Sequence, residues 1–528
     1  MDTDRSGLIS ADQSSNAILT GAAARPRSVV VIGAGTSGSV LAARLSQDPD
    51  LTVILLEAGE PDDYGDEICD PRRAPEVWST LANATLTTMA SPAGPIPMIQ
   101  GHIIGGTSAV NYLATVRGQP EDYARWEAAG LPGWGWSDIL GYFIAAETDL
   151  DFGPSPIHGD SGPLRVSRWT RSEHSVYQAA FADGMREVGI PKVGDVNDPA
   201  QLPGIGVFPA TLDDRRRRMT TSTAYLTDDV RNRSNLVIRT AAVVSRVLVE
   251  QGRAVGVALD DGEEVCADEI VVAAGAIGSP TLLLRSGIGP RQQLADRAIK
   301  VHADLPVGST MSDHLGTALT YQYDAPTVDN GGPAQTVLIG ASNGKDVDYH
   351  VFPTPSLDPT VKSTFLLLTY ILRSTGRGWV ELDDDPAGAA VVTAPPLPED
   401  VDVRLGHAFH QIAAWERSPA ARAISCEPVE AYDLSAGTAV ADALARITIS
   451  YGHMVGNLPH GQRARRTVPC ARYRRTAGCR RISVPGDTRR EHLSRVRHDC
   501  RTDRRADGAN RHPSDNSTLT KPRPDHAF

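Results

Sequence analysis

Long apolar runs are missing from this chain, and without a stretch of roughly 20 such residues no segment reads as a membrane-spanning helix. The first 27 residues carry Asp2, Asp4 and Asp12 among small polar residues and hold no apolar core of the signal-peptide kind. They read as a disordered leader on a cytoplasmic protein. Cysteine is scarce: six residues with no CxxC pair frame neither a disulfide scaffold nor a zinc site, and no metal site is expected. Aromatic residues are scarce too, at 5%, which leaves no evident aromatic-lined cage for a quaternary ammonium group.

The charge is acidic, −12 overall, but unevenly spread. Residues 461–528 hold 18 Lys+Arg against 7 Asp+Glu, a charge of +11, so the preceding 460 residues carry −23. An Arg-rich tail raises the thought of nucleic acid. With only Tyr473 and Phe528 as aromatics and an acidic body beside it, no nucleic-acid partner is expected. Polar and without periodicity, the tail reads as disordered. The 528 residues and 41% hydrophobic content otherwise fit a globular protein of two or more domains.

What is present centres on residues 29–60. β-Branched residues Val29 to Ile32 lead into Gly33-x-Gly35-x-x-Gly38, a helical pattern runs to Leu45, and a second apolar run, Leu51 to Leu56, ends on Glu57. This is the strand–turn–helix–strand unit that binds dinucleotides. Gly33 permits the tight turn, Gly35 lets the backbone approach a pyrophosphate, and Gly38 lets the helix pack on the sheet. The helix start, Thr36-Ser37-Gly38, then points free N–H groups at the diphosphate. Glu57 is placed to accept from a ribose hydroxyl, and its charge disfavours a 2′-phosphate, which leaves FAD or NAD.

Farther along, residues 61–100 read as an irregular excursion. Gly105-Gly106-Thr107-Ser108 with Val110-Asn111 suits either close backbone approach to a flat ligand or a tight structural loop. Ser137-Asp138 suggests a helix cap before an amphipathic helix to Ala146, another helix falls near 174–188, and the run Arg215 to Arg218 reads as a solvated turn, with a basic patch for an acidic substrate as the alternative. Short strands follow at 236–238, 243–249 and 254–259, with turns at Gln251-Gly252 and Asp261-Gly262. A buried strand from Glu269, a glycine turn at Gly275 and a helix closed by Gly287 return the chain to the dinucleotide sheet.

These blocks, in this order, resemble the GMC (glucose–methanol–choline) family of FAD-dependent oxidoreductases. GAGTSGSVLAARLS with LEAGE resembles its FAD pyrophosphate and ribose segment, GGTSAVNYLATVRG and GAIGSPTLLLRSGIG its two flavin-contacting segments, and Leu305-Pro306-Val-Gly308 to Asp313-His314 its LPGVG…DH stretch with one glycine missing. The resemblance implies an α/β fold: a Rossmann-like FAD-binding domain over 28–150 and 235–315, and an α+β substrate-binding domain on an antiparallel sheet over 151–234 and 316–456. It implies that Gly33, Gly35, Thr36, Ser37 and Gly38 hold the pyrophosphate and Glu57 the ribose. Gly106, Thr107, Asn111 and Gly275 would serve the flavin, and the backbone of Val244 the adenine. Some members attach FAD through a histidine just before the asparagine; Val110 stands there, so the flavin should be non-covalent. His453, in Tyr451-Gly-His-Met-Val-Gly456, takes the place of the family's catalytic base. The implied reaction is oxidation of a small alcohol by hydride transfer to flavin N5, with oxygen, a quinone or another carrier as electron acceptor. Choline is a weak guess, and an NAD-linked dehydrogenase is disfavoured by the flavin-type segments.

After Gly456 the resemblance stops, where the Arg-rich tail of 457–528 begins. Asn457-Leu-Pro-His-Gly-Gln can be encoded so that one base along it reads Thr-Cys-Arg-Met-Gly, the family's continuation. Pro485 to Ser494 can be encoded to give the block with the family's second catalytic His or Asn, and Ser494 to Asp507 a terminal helix. Three such blocks in one frame make a frameshift the leading reading of the tail. The chain as written is then expected to retain FAD weakly and to turn over little or not at all, a degenerate flavoprotein.

Overall fold

The computed structural model describes residues 27–458 except 62–64, 75–76, 78–86, 92, 327–331, 357–362 and 431–432. The expected leader and tail fall outside the described residues, apart from Arg27, Asn457 and Leu458.

The first unit forms as its pattern requires. Strand β1 (Arg27–Ile32), helix α1 (Thr36–Leu45) and strand β2 (Leu51–Leu56) follow one another, and β1 lies parallel to β2 with Val29 opposite Val53 and Ile32 opposite Leu56. Strands Glu269–Val272 and Leu236–Arg239 complete a four-stranded parallel sheet, outside β1 and β2 respectively. The apolar runs are continuous because both faces are covered. Val29, Val31, Val53 and Leu55 pack with Ala42 and Ala43 of α1, while Val30, Ile32, Ile54 and Leu56 pack against Val247, Val257 and Val265. Those last residues belong to an antiparallel three-stranded ribbon, Val244–Glu250, Arg253–Leu259 and Glu264–Cys266. Its first turn has positive φ at both Gln251 and Gly252, the handedness that matches strand twist.

The helix Gly275–Arg285 contains Pro280, which has no N–H for the carbonyl of Ala276. Asn457 Nδ2 donates to that oxygen instead, at 2.7 Å. The last described residues are thereby tied to the sheet's second βα turn.

The second domain is built on an antiparallel sheet, ordered Glu427–Pro428, Leu315–Gln322, Thr364–Ile371, Tyr349–Pro355, Thr336–Gly340 and Gly204–Val207, with Ile449–Ser450 added beside Leu315–Gly316. Alternation divides its residues. Tyr349, Val351, Phe365 and Leu367 face a core with Phe181 of helix Val176–Glu187 and Phe409, Ile412 and Trp415 of helix Val401–Glu416. His350, Phe352, Leu366, Leu368 and Tyr370 face a cavity.

Two local expectations change. Within 61–100, strands Thr87–Ala90 and Ile96–Met98 form a sheet with Trp379–Leu382 and Ala390–Thr393, so part of the excursion is regular; such short strands are too brief to show a period. The helix Trp136–Ala146 is capped by Gly135 with no side-chain bond, and Ser137 and Asp138 lie within its first turn. Among the described residues, no helix is long and apolar enough to cross a membrane.

Candidate active site

The glycine turn is shaped by contacts that no side chain tolerates. Gly33 has φ +94°, and a Cβ on it would lie 2.7 Å from the carbonyl oxygen of Ala273, where the two βα turns meet. A Cβ on Gly38 would lie 1.8 Å from the Gly33 oxygen. Gly35 caps α1 with no side-chain bond and no acid in the first turn, so the amides at the helix start face outward beside exposed Thr36 and Ser37. Glu57, buried at the end of β2, accepts from the N–H of Ala34 at 2.6 Å and of Gly59 at 2.9 Å, which fixes its carboxylate against this turn. Val244 opens the ribbon two residues after Ala242, whose N–H bonds the Glu57 carbonyl.

The second glycine segment folds onto the first. Gly105 N–H bonds the Ala34 oxygen, and Gly106 sits so close to Gly35 that a Cβ on it would lie 2.7 Å from the Gly35 Cα. Both contacts are backbone, and Gly106 has φ +53°. In the chain restored to the family's frame after Gly456, Gly106→Ala should therefore weaken FAD binding about tenfold or more. The flavin-to-protein absorbance ratio after gel filtration checks this; a ratio equal to the parent's refutes it. Together these glycines leave a cradle lined by backbone N–H groups, with a carboxylate at its edge, which fits FAD.

A short 3-10 turn, Gly106–Ala109, carries Thr107 to the cavity and ends near Asn111. Arg218 fixes the Asn111 amide: its guanidinium donates to Asn111 Oδ1 at 3.0 Å and to the Asn111 carbonyl at 2.7 Å, and Leu113 N–H also donates to Oδ1. The Asn111 NH2 is then the group left for the cavity. This corrects the reading of Arg215 to Arg218. Arg215 and Arg217 are exposed, but Arg216 pairs with Glu173 at 2.6 Å and Arg218 is 5% exposed. A run of like residues hides such differences, because each points its own way in a turn.

The cavity, about 1590 Å³, is bounded by Thr107, Val110 and Asn111 on one side and by His314, His350 and His453 on another. His453 is brought there by residues 449–457, which run antiparallel to 308–316. Ser312 and Val455 bond reciprocally at 2.8 and 2.9 Å, and Tyr451 N–H bonds the His314 carbonyl. Asp313, 1% exposed, holds this turn from below: it accepts from the His453 N–H at 3.1 Å, the His314 N–H at 2.8 Å and the Ser450 hydroxyl. Burial pushes its carboxyl up to about 6 against those bonds.

The His453 ring stacks on Tyr451 at 4.2 Å, Tyr451 stacks on Tyr370 at 4.1 Å, and His314 meets His453 edge-on at 5.6 Å. His453 is open to the cavity yet desolvated by its walls, which together with the charge repulsion of His314 lowers its pKa to about 4. Burial likewise lowers His314 to about 4, with Asp122 opposing, and His350 to about 3. All three rings are neutral at pH 7. The few aromatics of the chain thus include a column on this wall, with Tyr112, Phe352 and Trp126 lining it too; composition counts residues but does not locate them.

Asp313, His314, His350 and Arg218 are the residues that the spacing of motifs did not single out as functional. The Asp313-His314 dipeptide stood within a quoted motif and could have been found. His350 sits in an ordinary strand pattern and could not.

Behind the Arg117–Gly118 wall lies a buried charge cluster. His158 Nδ1 is 2.8 Å from Glu147 and 3.0 Å from Asp149, its Nε2 is 2.8 Å from Asp195, and Arg117 and Arg168 pair with Glu147 and Asp149. Burial opposes charge on His158, but the bonds to Asp149, Asp195 and Glu147 win and push it up to about 10. The donors Glu147, Asp149 and His158 stand close enough for a metal, yet the imidazolium and guanidinia already hold those oxygens.

The family model described as GMC oxidoreductase matches residues 28–316. The 5-(hydroxymethyl)furfural oxidase of Methylovorus sp. (strain MP688) is 34% identical over 385 residues, 68% of this chain and 71% of that one. An oxygen-dependent choline dehydrogenase of Pectobacterium atrosepticum is 35% identical over 314 residues, 56% of this chain; the chain spans 54% of that relative's length. Among solved structures, pyridoxine 4-oxidase from Mesorbium loti superposes with a TM-score of 0.75 at 27% identity, over 82% of this chain and 88% of that one. Formate oxidase from Aspergillus oryzae, at 19% identity and a TM-score of 0.71 over 82% and 89%, shows likeness of fold.

Proposed function

The chain belongs to the GMC oxidoreductase family, a family of FAD enzymes that oxidise CH–OH groups, and from that premise we propose that it oxidises a primary or secondary alcohol with His453 as base. The observation that carries the reading is one cavity lined both by Thr107 and Asn111 and by His453. FAD, when bound, supplies the hydride acceptor. The pyrophosphate would rest on Gly33, Gly35 and the start of α1, the ribose at Glu57, the adenine by the Val244 backbone, and Gly275 beside the second turn. The Asn111 NH2 would donate to the ring edge. Val110 offers no nucleophile for a covalent bond, so the flavin is held non-covalently.

His453, neutral and with no side-chain hydrogen bond among the described residues, can accept the hydroxyl proton as the carbinol hydride leaves. Tyr451 and Asp313 keep the ring facing the cavity: the first by stacking, the second through backbone N–H groups. Because the folded pKa lies near 4, the base form persists well below the ordinary imidazole range. The acid limb of alcohol-dependent flavin bleaching should then fall near pH 4 in a stopped-flow pH series. A limb near 6.5 would show that His453 is solvated in the working enzyme.

Oxygen is the proposed acceptor, on the strength of relatives named oxidase and oxygen-dependent dehydrogenase; an oxygen electrode distinguishes it from a quinone or other carrier. The proposed compartment is the cytoplasm, which fractionation of the source cells checks. We further hold to the shifted frame after Gly456, in which case the chain as written lacks its second catalytic residue and is damaged, while its frame-corrected form is competent. Resequencing codons 450–510 decides this directly. For the activity itself, the corrected chain is purified, loaded with FAD and mixed anaerobically with benzyl alcohol and short alkanols. Bleaching supports the reading; a flavin that stays oxidised with every alcohol, or a protein that takes up NAD and no FAD, removes it.

A further inference from the structure

The cavity that holds His453 has a charged wall. Arg117, Arg125, Arg373, Arg377 and Arg404 line it, against the single carboxylate of Asp122. Four of the five guanidinia are paired. Arg117 meets Glu147 at 2.6 Å, Arg404 meets Asp400 at 2.6 Å, Arg373 meets Asp122 at 3.3 Å and Glu121 at 3.8 Å, and Arg125 meets Asp122. Even with every one of these four carboxylates counted, one cation is left over. Arg377 is exposed, its polar contact is the carbonyl of Gly376 at 3.4 Å, and among the described residues no carboxylate lies within 4 Å of it. The three histidines of the cavity are neutral and add nothing to balance it.

Arg377 also lies at a useful distance from His453. Gly378 bonds Met311 reciprocally at 2.8 Å, and the next residue, Ser312, bonds Val455, two residues from His453. The two side chains therefore spring from backbones about two strand spacings apart, on the order of 10 Å. The same cavity is also lined by Tyr451, Tyr370, Phe352, Leu366 and Leu368, which give it an apolar wall.

We propose that the substrate is an anionic alcohol, an apolar or aromatic body with a hydroxymethyl group at one end and a carboxylate at the other, and that Arg377 binds the carboxylate while the carbinol faces His453. This inference rests on the oxidase reading and narrows it. A guanidinium matches a carboxylate with two parallel N–H bonds, and an unpaired one at a cavity mouth raises the local concentration of anions. The same excess charge repels a quaternary ammonium alcohol.

The test is calorimetric titration of the full chain with 4-(hydroxymethyl)benzoate, benzyl alcohol and its 4-trimethylammoniomethyl derivative. The carboxylate is expected to bind about tenfold more tightly than benzyl alcohol and the cation more weakly, with the preference shrinking as salt rises. Arg377→Ala should bring the anion-to-neutral ratio close to one, Arg377→Lys should restore part of it, and Arg377→Glu should turn the preference toward the cation. Equal affinities in the parent chain, no binding of any probe, or a preference that survives both Arg377→Ala and Arg377→Glu overturns the inference. Heat of binding is read without flavin chemistry, so the two readings fail separately. A frame-corrected chain that prefers the anion but takes up no FAD sinks the oxidase reading, and a frame-corrected chain that bleaches equally with all three alcohols sinks the substrate charge.

Discussion

Replacing His453 by alanine in a frame-corrected chain is expected to slow alcohol-dependent flavin bleaching about 10²- to 10⁴-fold, the range a positioned general base contributes. The structure gives reason to expect the loss in the chemistry rather than in folding. The loop is fastened by backbone N–H groups to Asp313 and by the Ser312–Val455 pair, none of which involves the imidazole. Tyr451 keeps its stack on Tyr370 with the histidine gone. Anaerobic stopped-flow measurement isolates the step from reoxidation, and a His453→Gln form separates loss of the base from loss of a hydrogen bond. A loss smaller than tenfold would hand the role to His314, the ring 5.6 Å away with a buried Nδ1 that has no partner among the described residues. The His314→Ala chain would then show the larger defect.

His158→Leu is expected to destabilise the protein by about 3–5 kcal/mol, the cost of removing one member of a buried ion cluster. Typical total stability is roughly 5–15 kcal/mol, so a chain of this kind could lose half of it. Without the imidazolium, Glu147, Asp149 and Asp195 face one another in the interior with only Arg117 and Arg168 between them. The pH dependence follows from the direction of the shift. His158 is raised in the fold, so its contribution is full below its ordinary pKa near 6.5 and is lost as pH rises through about 10. Asp149 is lowered, mainly by His158 and Arg168 against its burial, so its contribution holds above 3.8 and fades in acid. Urea midpoints of parent and variant should converge between neutral and strongly alkaline pH. A difference under about 1 kcal/mol at pH 7 would mean that the cluster is better hydrated than its burial implies.

Local patterning determined a good deal here. The apolar runs around GAGTSG and LEAGE specify a parallel sheet because they are apolar on every residue, which only a strand covered on both faces can accommodate. The Gln251-Gly252 turn specifies a hairpin because its backbone needs positive φ twice. Gly33, Gly35 and Gly38 could be named from spacing alone, and the close approaches made at Gly33 and Gly38 belong to the motif itself; Gly106 was named through the family resemblance. The family followed from those blocks and their order.

Other features depend on residues far apart in the chain. Arg218 was indistinguishable from its three neighbours until the fold set it against Asn111, 107 positions away. The cluster of Glu147, Asp149, His158 and Asp195 carries no motif, because burial rather than spacing makes its charges matter. Scarcity of aromatics left no evident aromatic-lined cage, yet Tyr370 and Tyr451, 81 positions apart, meet face to face on the cavity wall. By itself the sequence determined the dinucleotide unit, which is encoded in neighbouring residues with a fixed period, and the family, which is encoded in short blocks and their order. Only the tertiary structure decided which charges are buried together, which cavity arginine has no carboxylate partner among the described residues and what surrounds the base, because desolvation and pairing are properties of distance in space, on which sequence separation places almost no limit.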